Sequence, residues 1–501
     1  MKFWKTKPTP SIQRHPFHPQ TEIRNWGNGY AFRVADAQCG TVTFGSTGGG
    51  KSSGPNKHLA FGCLKAGFGF LVLTAKKDDC RTWQEWVAEC DRSQDLVIVN
   101  AGGDWRYNFM EEEASRPGEG GGFTLNIVAL LDEIGGTIAG GGKSDGGGDN
   151  KIWEDALHTL NTFAVGLPLL AGLKVTLPLL RQITSSAAQT LEQVNDPVWQ
   201  KSSLCYQILQ EADQATKDGD PEARADFEEC RTYWTKDFPS YSDKTKSSIL
   251  MGFTVLIQPL VTRPLRKLFS SDTTVRPEDT FDGRIIVIDI PVQEYKLVGR
   301  IANLVWKHCF QCAVLRRVQP ADRESFLRPV ALWADECQHF VTLSDAEYQA
   351  TCRSSGGCTF YLTQNRESLR RVLRNNDAVD SLLGNLVCKI FCNNTGETNE
   401  YAAKLLGEHW VKVNTTNVGQ SNNDGGTPIL QPQQNPNGGF NSGVSRSEQR
   451  RYWVDPATFT TLKRGGPQND FQVEAIIYNG GQLFQNGNEL LPYIKLTFNQ
   501  K

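Results

Sequence analysis

The segment Gly45-Ser-Thr-Gly-Gly-Gly-Lys51-Ser52 constrains this chain more than any other. It satisfies G-x-x-x-x-G-K-[ST] directly after the strand-like run TVTF (Thr41 to Phe44) and just before the helical pattern KHLAFGCLKAG. Glycines at Gly45, Gly48, Gly49 and Gly50 let such a loop curl until its backbone N–H groups converge on phosphate oxygens. The following helix adds the positive end of its dipole. Lys51 then reaches the β- and γ-phosphates, Ser52 ligates magnesium, and Ser46, Thr47 and Ser53 complete the phosphate-binding set. The expected ligands are therefore ATP and Mg2+.

A phosphate loop needs a second half, an acid at the end of a neighbouring strand that holds the magnesium shell, and a second acid that polarises the attacking water. Arg328-Pro-Val-Ala-Leu-Trp-Ala-Asp335-Glu336 supplies an apolar run ending in both, with Asp335 on the metal and Glu336 as general base. The run IIVIDIP competes through Asp289, but has one acid followed by isoleucine and proline, and reads as a neighbouring structural strand. The run CTFYLTQN ends in Gln364, which is either a polar side chain that senses the γ-phosphate across the sheet crevice or an ordinary loop glutamine.

Short apolar runs alternating with helical patterns predict a parallel α/β sheet. They are Thr41 to Phe44, Phe70 to Thr74, Leu96 to Asn100, Arg284 to Ile290, Val330 to Ala334, Cys358 to Thr363 and Val387 to Cys392, with FQVEAIIY and YIKLTF closing the sheet edge. Residues 150–270 are almost purely helical in pattern and read as an inserted all-α domain. It divides an NTPase domain into residues 26–149 and 271–501. Residues 1–25, basic and Pro-rich with no apolar h-region, read as a flexible arm. Two Gly-rich stretches, 135–149 and 414–443, lack a packable face and read as loops. Gly142-Lys143-Ser144 in the first imitates a phosphate loop, but Thr137 stands where its leading glycine belongs. Leu160 to Leu180 is apolar, yet Lys174, Pro168 and Pro178 interrupt it. A span there would part the two halves of the nucleotide site, so it reads as buried helix.

Charge and cysteines narrow the function classes. With 53 Lys and Arg against 55 Asp and Glu, the net charge of -2 gives no global attraction for a polyanion, so any nucleic-acid surface must be local. Basic residues Lys244, Lys246, Arg263, Arg266 and Lys267 near the end of the helical region, and Arg370, Arg371 and Arg374 after Gln364, are either pore-lining or solvated faces. Thirteen cysteines without a regular framework point to reduced thiols, and Cys309/Cys312 and Cys388/Cys392 sit in helical and strand-like patterns rather than in a zinc motif.

The order of phosphate loop, strand with a Lys-rich turn (LVLTAKKDD), helical insertion with an early Trp (KIWEDALHTL), IDIP strand, Asp-Glu strand and TQN strand resembles the conjugative coupling-protein ATPases. These form the TraD/TraG branch of the FtsK/HerA class. DECQHFVTLSDAEYQATCRSSGGCTFYLTQNRESL, LLGNLVCKIFCNNTGETNEYAAKLLGE and SRSEQRRYWVDPATFTTL are similar to the family's later motifs, and the resemblance runs from about residue 40 onward. It implies a RecA-like P-loop NTPase domain carrying an all-α insertion, assembled as a homo-hexamer that threads DNA through its ring channel with ATP hydrolysis. It also implies relaxase or secretion-system partners. Arg353, in TCRSSGG, matches the family's arginine that reaches into the neighbouring subunit's site, and a solvated surface arginine is its bland alternative. The family's N-terminal transmembrane helices have no counterpart in this sequence. The expected place is the bacterial cytoplasm, at the inner membrane through a separate membrane partner.

Overall fold

Strand Thr41–Phe44 is buried along its whole length, as are Gly69–Leu73, Val330–Ala334, Gly357–Thr363 and Cys388–Phe391. Strands covered on both faces read as near-continuous apolar runs, and these are the centre of a mainly parallel sheet. The computed structural model describes residues 15–138, 148–420 and 440–501, apart from residues 28 and 323. In chain order its strands are β1 (Glu22–Gly27), β2 (Tyr30–Arg33), β3 (Thr41–Phe44), β4 (Gly69–Leu73), β5 (Leu96–Asn100), β6 (Ile285–Asp289), β7 (Val330–Ala334), β8 (Gly357–Thr363) and β9 (Cys388–Phe391). They continue as β10 (Glu408–Gln420), β11 (Phe440–Tyr452), β12 (Gln472–Asn479), β13 (Phe484–Asn486), β14 (Glu489–Leu491) and β15 (Ile494–Asn499).

Nine strands form one sheet in the order β15-β12-β9-β3-β8-β7-β4-β6-β5. The seven from β9 to β5 are parallel, and β12 and β15 add antiparallel at one edge. All parallel strands point their C-terminal ends to one edge, where the α/β crevice forms. Strand β3 lies between β9 and β8, and β7 lies directly beyond β8.

Between β5 and β6 the described residues from Phe109 to Phe269 form helices joined by short loops, with no strand among them. Its helix starts follow local chemistry. Thr176, Asp196 and Asp220 each accept a backbone N–H at the N-cap, followed by proline in the first turn. The apolar stretch 160–180 is two buried pieces, since helix Gly148–Leu170 stops and Thr176 caps a new helix, Leu177–Ser186. Among the described residues no helix is long and apolar enough to cross a membrane.

Two expectations change. Residues 15–25 pack rather than trail: Phe17 lies under the Arg328 guanidinium, 5.0 Å from ring centre, and His18 meets Phe326 edge-on at 5.1 Å. The rings find partners that a basic, Pro-rich composition did not reveal, while residues 1–14 lie outside the described residues. The second Gly-rich loop is bounded more tightly, because 414–420 and 440–443 continue strands β10 and β11 of an antiparallel pair running from Glu408↔Tyr452 to Gln420↔Phe440. The ladder satisfies backbone groups without a packable face. Residues 421–439 lie outside the description, as do 139–147 with Gly142, Lys143 and Ser144.

Candidate active site

The phosphate loop leaves β3 at the C-terminal edge of the sheet. Gly45 N–H donates to the Thr363 carbonyl at 3.2 Å and Ser46 N–H to the Asn393 carbonyl at 2.9 Å, which ties the loop to the ends of β8 and β9. Gly48 and Gly50 have φ of +69° and +79°, in the left-handed region that side chains resist. A Cβ on Gly50 would stand 2.4 Å from Cγ2 of Val473, and one on Gly49 2.9 Å from the Ser46 carbonyl oxygen. The N–H groups of Thr47, Gly48 and Gly50 donate to no acceptor among the described residues. Side-chain-free backbone with unpaired donors is a cradle for phosphate oxygens.

Strand β7 delivers the acids. Ser52 Oγ donates to Asp335 Oδ2 at 2.6 Å, so a hydroxyl and a carboxylate oxygen meet as hard donors suited to magnesium. Lys51 Nζ lies 3.1 Å from Glu336 Oε1, with both side chains 7 % exposed. Glu336 itself has φ +53°, and its N–H bonds back to Asp335 Oδ1 at 2.8 Å, which turns the two adjacent carboxylates apart.

Around Glu336 the structure adds groups on both sides. Lys76 Nζ, just past the end of β4, lies 2.9 Å from Oε1. Gln338 Nε2 donates to Oε2 at 2.8 Å and Gln364 Nε2 to the same oxygen at 3.4 Å, while Thr363 Oγ1 donates to the Gln338 side-chain oxygen at 3.0 Å. Burial pushes the Glu336 carboxyl up, but the charge of Lys51 and hydrogen bonds from Gln338 and Lys76 outweigh it and hold it at about 2. It is an ionised carboxylate at neutral pH, able to accept a proton. Asp79 behaves oppositely: burial raises it to about 6 despite hydrogen bonds from the Lys76 and Ala75 N–H groups, and Asp335 adds to the rise.

The C-terminal part of the chain buttresses the loop. Arg464 Nη2 donates to the Thr47 carbonyl at 2.6 Å, Gln500 Nε2 to Ser53 Oγ at 2.6 Å, and Asn393 Oδ1 accepts from Ser46 Oγ at 3.3 Å.

Of the residues expected from sequence, the fold brings Gly45 to Ser53, Asp335, Glu336 and Gln364 together. It does not bring Arg353, which is exposed in the turn before β8, at the opposite edge of the sheet and close to Cys39. Asp289 is also apart, beside the Cys80 thiol, where burial raises its carboxyl. Within the basic sets, Lys246 is buried and held by the Gln189 and Pro239 carbonyls and by Asp243, so it lines no pore. Arg370 pairs with Glu397 at 2.6 Å, Lys267 donates to the Gly103 carbonyl at 2.8 Å, and Lys244, Arg263, Arg266, Arg371 and Arg374 are exposed. Lys76, Gln338, Asn393, Arg464 and Gln500 were not singled out by sequence. Lys76 carried a signal, a lysine pair directly after a parallel strand, whereas the others depend on long-range contacts.

Residues 329–464 match the family described as the TraM recognition site of TraD and TraG. Across nearly the whole chain the fold is that of the plasmid coupling protein TrwB. Its complex with the non-hydrolysable ATP analogue ADPNP is 16% identical with a TM-score of 0.58, covering 97% of this chain and 90% of that one. Its complex with ADP and Mg2+ is 15% identical with a TM-score of 0.55, covering 97% and 89%. The unbound monoclinic form of the bacterial conjugative coupling protein TrwBdeltaN70 is 15% identical with a TM-score of 0.56, covering 94% and 88%. At such identities the likeness shows the fold. No relative was found among curated protein sequences. The sequence match to TraD and TraG is thus confined to residues 329–464, and the likeness over the rest of the chain is one of fold.

Proposed function

We propose, for a chain with the TraD/TraG recognition-site segment on a coupling-protein fold, that it is an ATP-hydrolysing ring motor that translocates DNA in conjugation or type IV secretion. The observation that carries the reading is the meeting of Lys51, Ser52, Asp335, Glu336 and Gln364 at one sheet edge. The loop N–H groups and Lys51 bind the phosphates of ATP. Ser52 and Asp335 hold Mg2+, which when bound supplies charge neutralisation to the phosphates.

Glu336 accepts the proton of the attacking water, and Gln364 and Gln338 fix the orientation of its carboxylate. Because a phosphate draws on Lys51, the lysine that now neutralises Glu336, Lys76 keeps a cation on the carboxylate throughout. Gln364 joins Glu336 to the end of β8 and so ties the chemistry to the neighbouring strand. Arg353, remote from its own site, acts in the site of the next subunit of a homo-hexamer. Residues 26–149 and 271–501 form the ATPase body, residues 150–270 an α-helical cap, and DNA passes through the channel. Relaxase or secretion-system proteins are the cargo partners, and a separate membrane protein holds the ring at the inner membrane.

A recruitment platform for relaxase or effector proteins is the second reading, favoured by the family description, which names a recognition site. ATP hydrolysis by the purified chain with and without single- and double-stranded DNA, against Lys51→Ala, separates them. Stimulation by DNA that vanishes in the variant supports the motor. Lys51-dependent hydrolysis indifferent to DNA sinks it and favours recruitment or protein secretion.

A further inference from the structure

Strand β9 carries a lysine where its neighbours are apolar. Lys389 is 4% exposed, opposite Tyr478 of β12 in the antiparallel register. Its ammonium donates to the Leu386 carbonyl at 2.6 Å, at the C-terminal end of helix Asn376–Asn385, and lies 5.8 Å from the centre of the Tyr478 ring. No carboxylate among the described residues lies within salt-bridge distance of it. An ammonium has three donors, and one carbonyl with a ring face leaves a buried charge short of acceptors. Burial pulls it down to about 8, as expected for a cation without a counter-ion.

The lysine does not sit in close-packed core. It lines a cavity of about 430 Å³, within the range that holds small ligands. Leu383, Leu405 and the rings of Tyr401 and Tyr478 form its walls, and exposed Asp380, Gly384 and Gly480 mark its mouth. Arg366 also lines it. Its Nη2 pairs with Asp380, while its Nε is buried and has no partner among the described residues.

We propose that this cavity binds a carboxylate borne on an apolar group, such as the free C-terminus of a peptide ending in an aliphatic residue. Lys389 and the Nε–H of Arg366 hold the anion, and the leucines and tyrosines cover the apolar part. A carboxylate supplies the acceptors that Lys389 lacks, in a charge-assisted pair. Asp380 at the mouth opposes a dianion, so a phosphate fits less well. Lys389 and Arg366 have no part in the nucleotide site, so this inference does not depend on the ATPase reading.

The test is calorimetric titration of the full chain with three probes: acetyl-Ala-Leu as the acid, the same dipeptide as its C-terminal amide, and hexanoate. The acid should bind at least about tenfold more tightly than the amide. Lys389→Met should remove that difference, and Leu383→Trp, which fills the cavity and keeps the lysine, should abolish binding. Tighter binding of the peptide acid than of hexanoate assigns the site to protein C-termini, and the reverse assigns it to small apolar acids. Both support a carboxylate site. Equal binding of acid and amide, no binding of any probe, or wild-type affinity in Leu383→Trp overturns it. If Lys389→Met fails to fold, the acid and amide comparison on the unaltered chain still decides.

Discussion

Lys76 places its ammonium 2.9 Å from Glu336 Oε1, the same oxygen that Lys51 engages at 3.1 Å. One carboxylate thus has two cations, one from the phosphate loop after β3 and one from just past the end of β4. Lys76→Met should leave nucleotide binding near normal and cut hydrolysis by about tenfold, less than the about 10²–10⁴ expected for loss of the base itself. The sign of the pH effect follows from Glu336 lying at about 2, below the ordinary carboxylate value of about 4.3. A depressed carboxylate is ionised above its ordinary value and loses that state as pH falls through the folded value. Removing Lys76 therefore moves the acid limb of the pH–rate profile upward. An unmoved limb would show that Lys51 and Gln338 hold Glu336 without it.

Glu336→Gln tests the base itself. The amide keeps the size and the contact with Lys51 but cannot take a proton, so ATP should bind while hydrolysis falls by about 10²–10⁴. The check is retention of radiolabelled ATP on the purified variant, with product analysis. A variant that turns over at the unaltered rate removes Glu336 from the chemistry.

Gly50→Ala puts a methyl 2.4 Å from Val473 Cγ2 at a φ of +79°. Left-handed backbone alone costs about 1–2 kcal/mol, and the clash displaces the loop. Nucleotide binding should be lost, read by a fluorescent ATP analogue. Adding Val473→Ala removes both methyl contacts and should restore part of the binding, the remainder being the backbone cost. No restoration would mean that β12 does not set the loop's shape.

Asp79 is raised to about 6 by burial and by Asp335, so its neutral form is favoured in the folded chain. For a carboxyl raised above its unfolded value, that contribution to stability is complete below about 4 and is lost as pH rises through about 6. Asp79→Asn should flatten this part of the stability curve. At pH 7 it should stabilise by about 1–3 kcal/mol, because the amide oxygen can still accept from the Ala75 and Lys76 N–H groups. Urea unfolding at pH 4 and pH 7 reads both effects, and parallel curves for the two proteins would place the ionisation elsewhere.

The parts of this molecule legible in its sequence are those with a local signature. The run VALWA is strand β7 residue for residue, since five apolar residues ending in two acids suit a strand buried on both faces. The parallel sheet and the phosphate loop were readable for the same reason. Contacts that depend on strand order were not. Lys76 meets Glu336 only because β4 and β7 are neighbours, and Arg464 reaches Thr47 from a bridge to Val473 of β12, beyond β9. Charge was the poorest guide to burial. Lys246, Lys307 and Lys389 are as polar in sequence as any surface lysine, yet all three are buried. Partners brought by tertiary structure determine where a charged side chain is tolerated.

Lys307 and Asp345 give the sharpest stability prediction. Both side chains are 1% exposed, with Nζ 2.8 Å from either carboxylate oxygen. Lys307 also donates to the Phe340 carbonyl and to Thr342 Oγ1, each at 2.9 Å, and Asp345 accepts from Gln311 and from the Thr342 N–H. The pair pins the segment that follows Glu336 to helix Val292–Leu315, so it fixes where the chain goes after the two acids. Removing one partner strands the other charge in a buried site. Asp345→Ala should cost about 3–5 kcal/mol, and Lys307→Met about as much. The double variant leaves no unpaired charge and should cost less than the sum of the two. A cycle of denaturant unfolding on the four proteins measures the coupling, and additive losses would show that each residue acts through its other contacts instead.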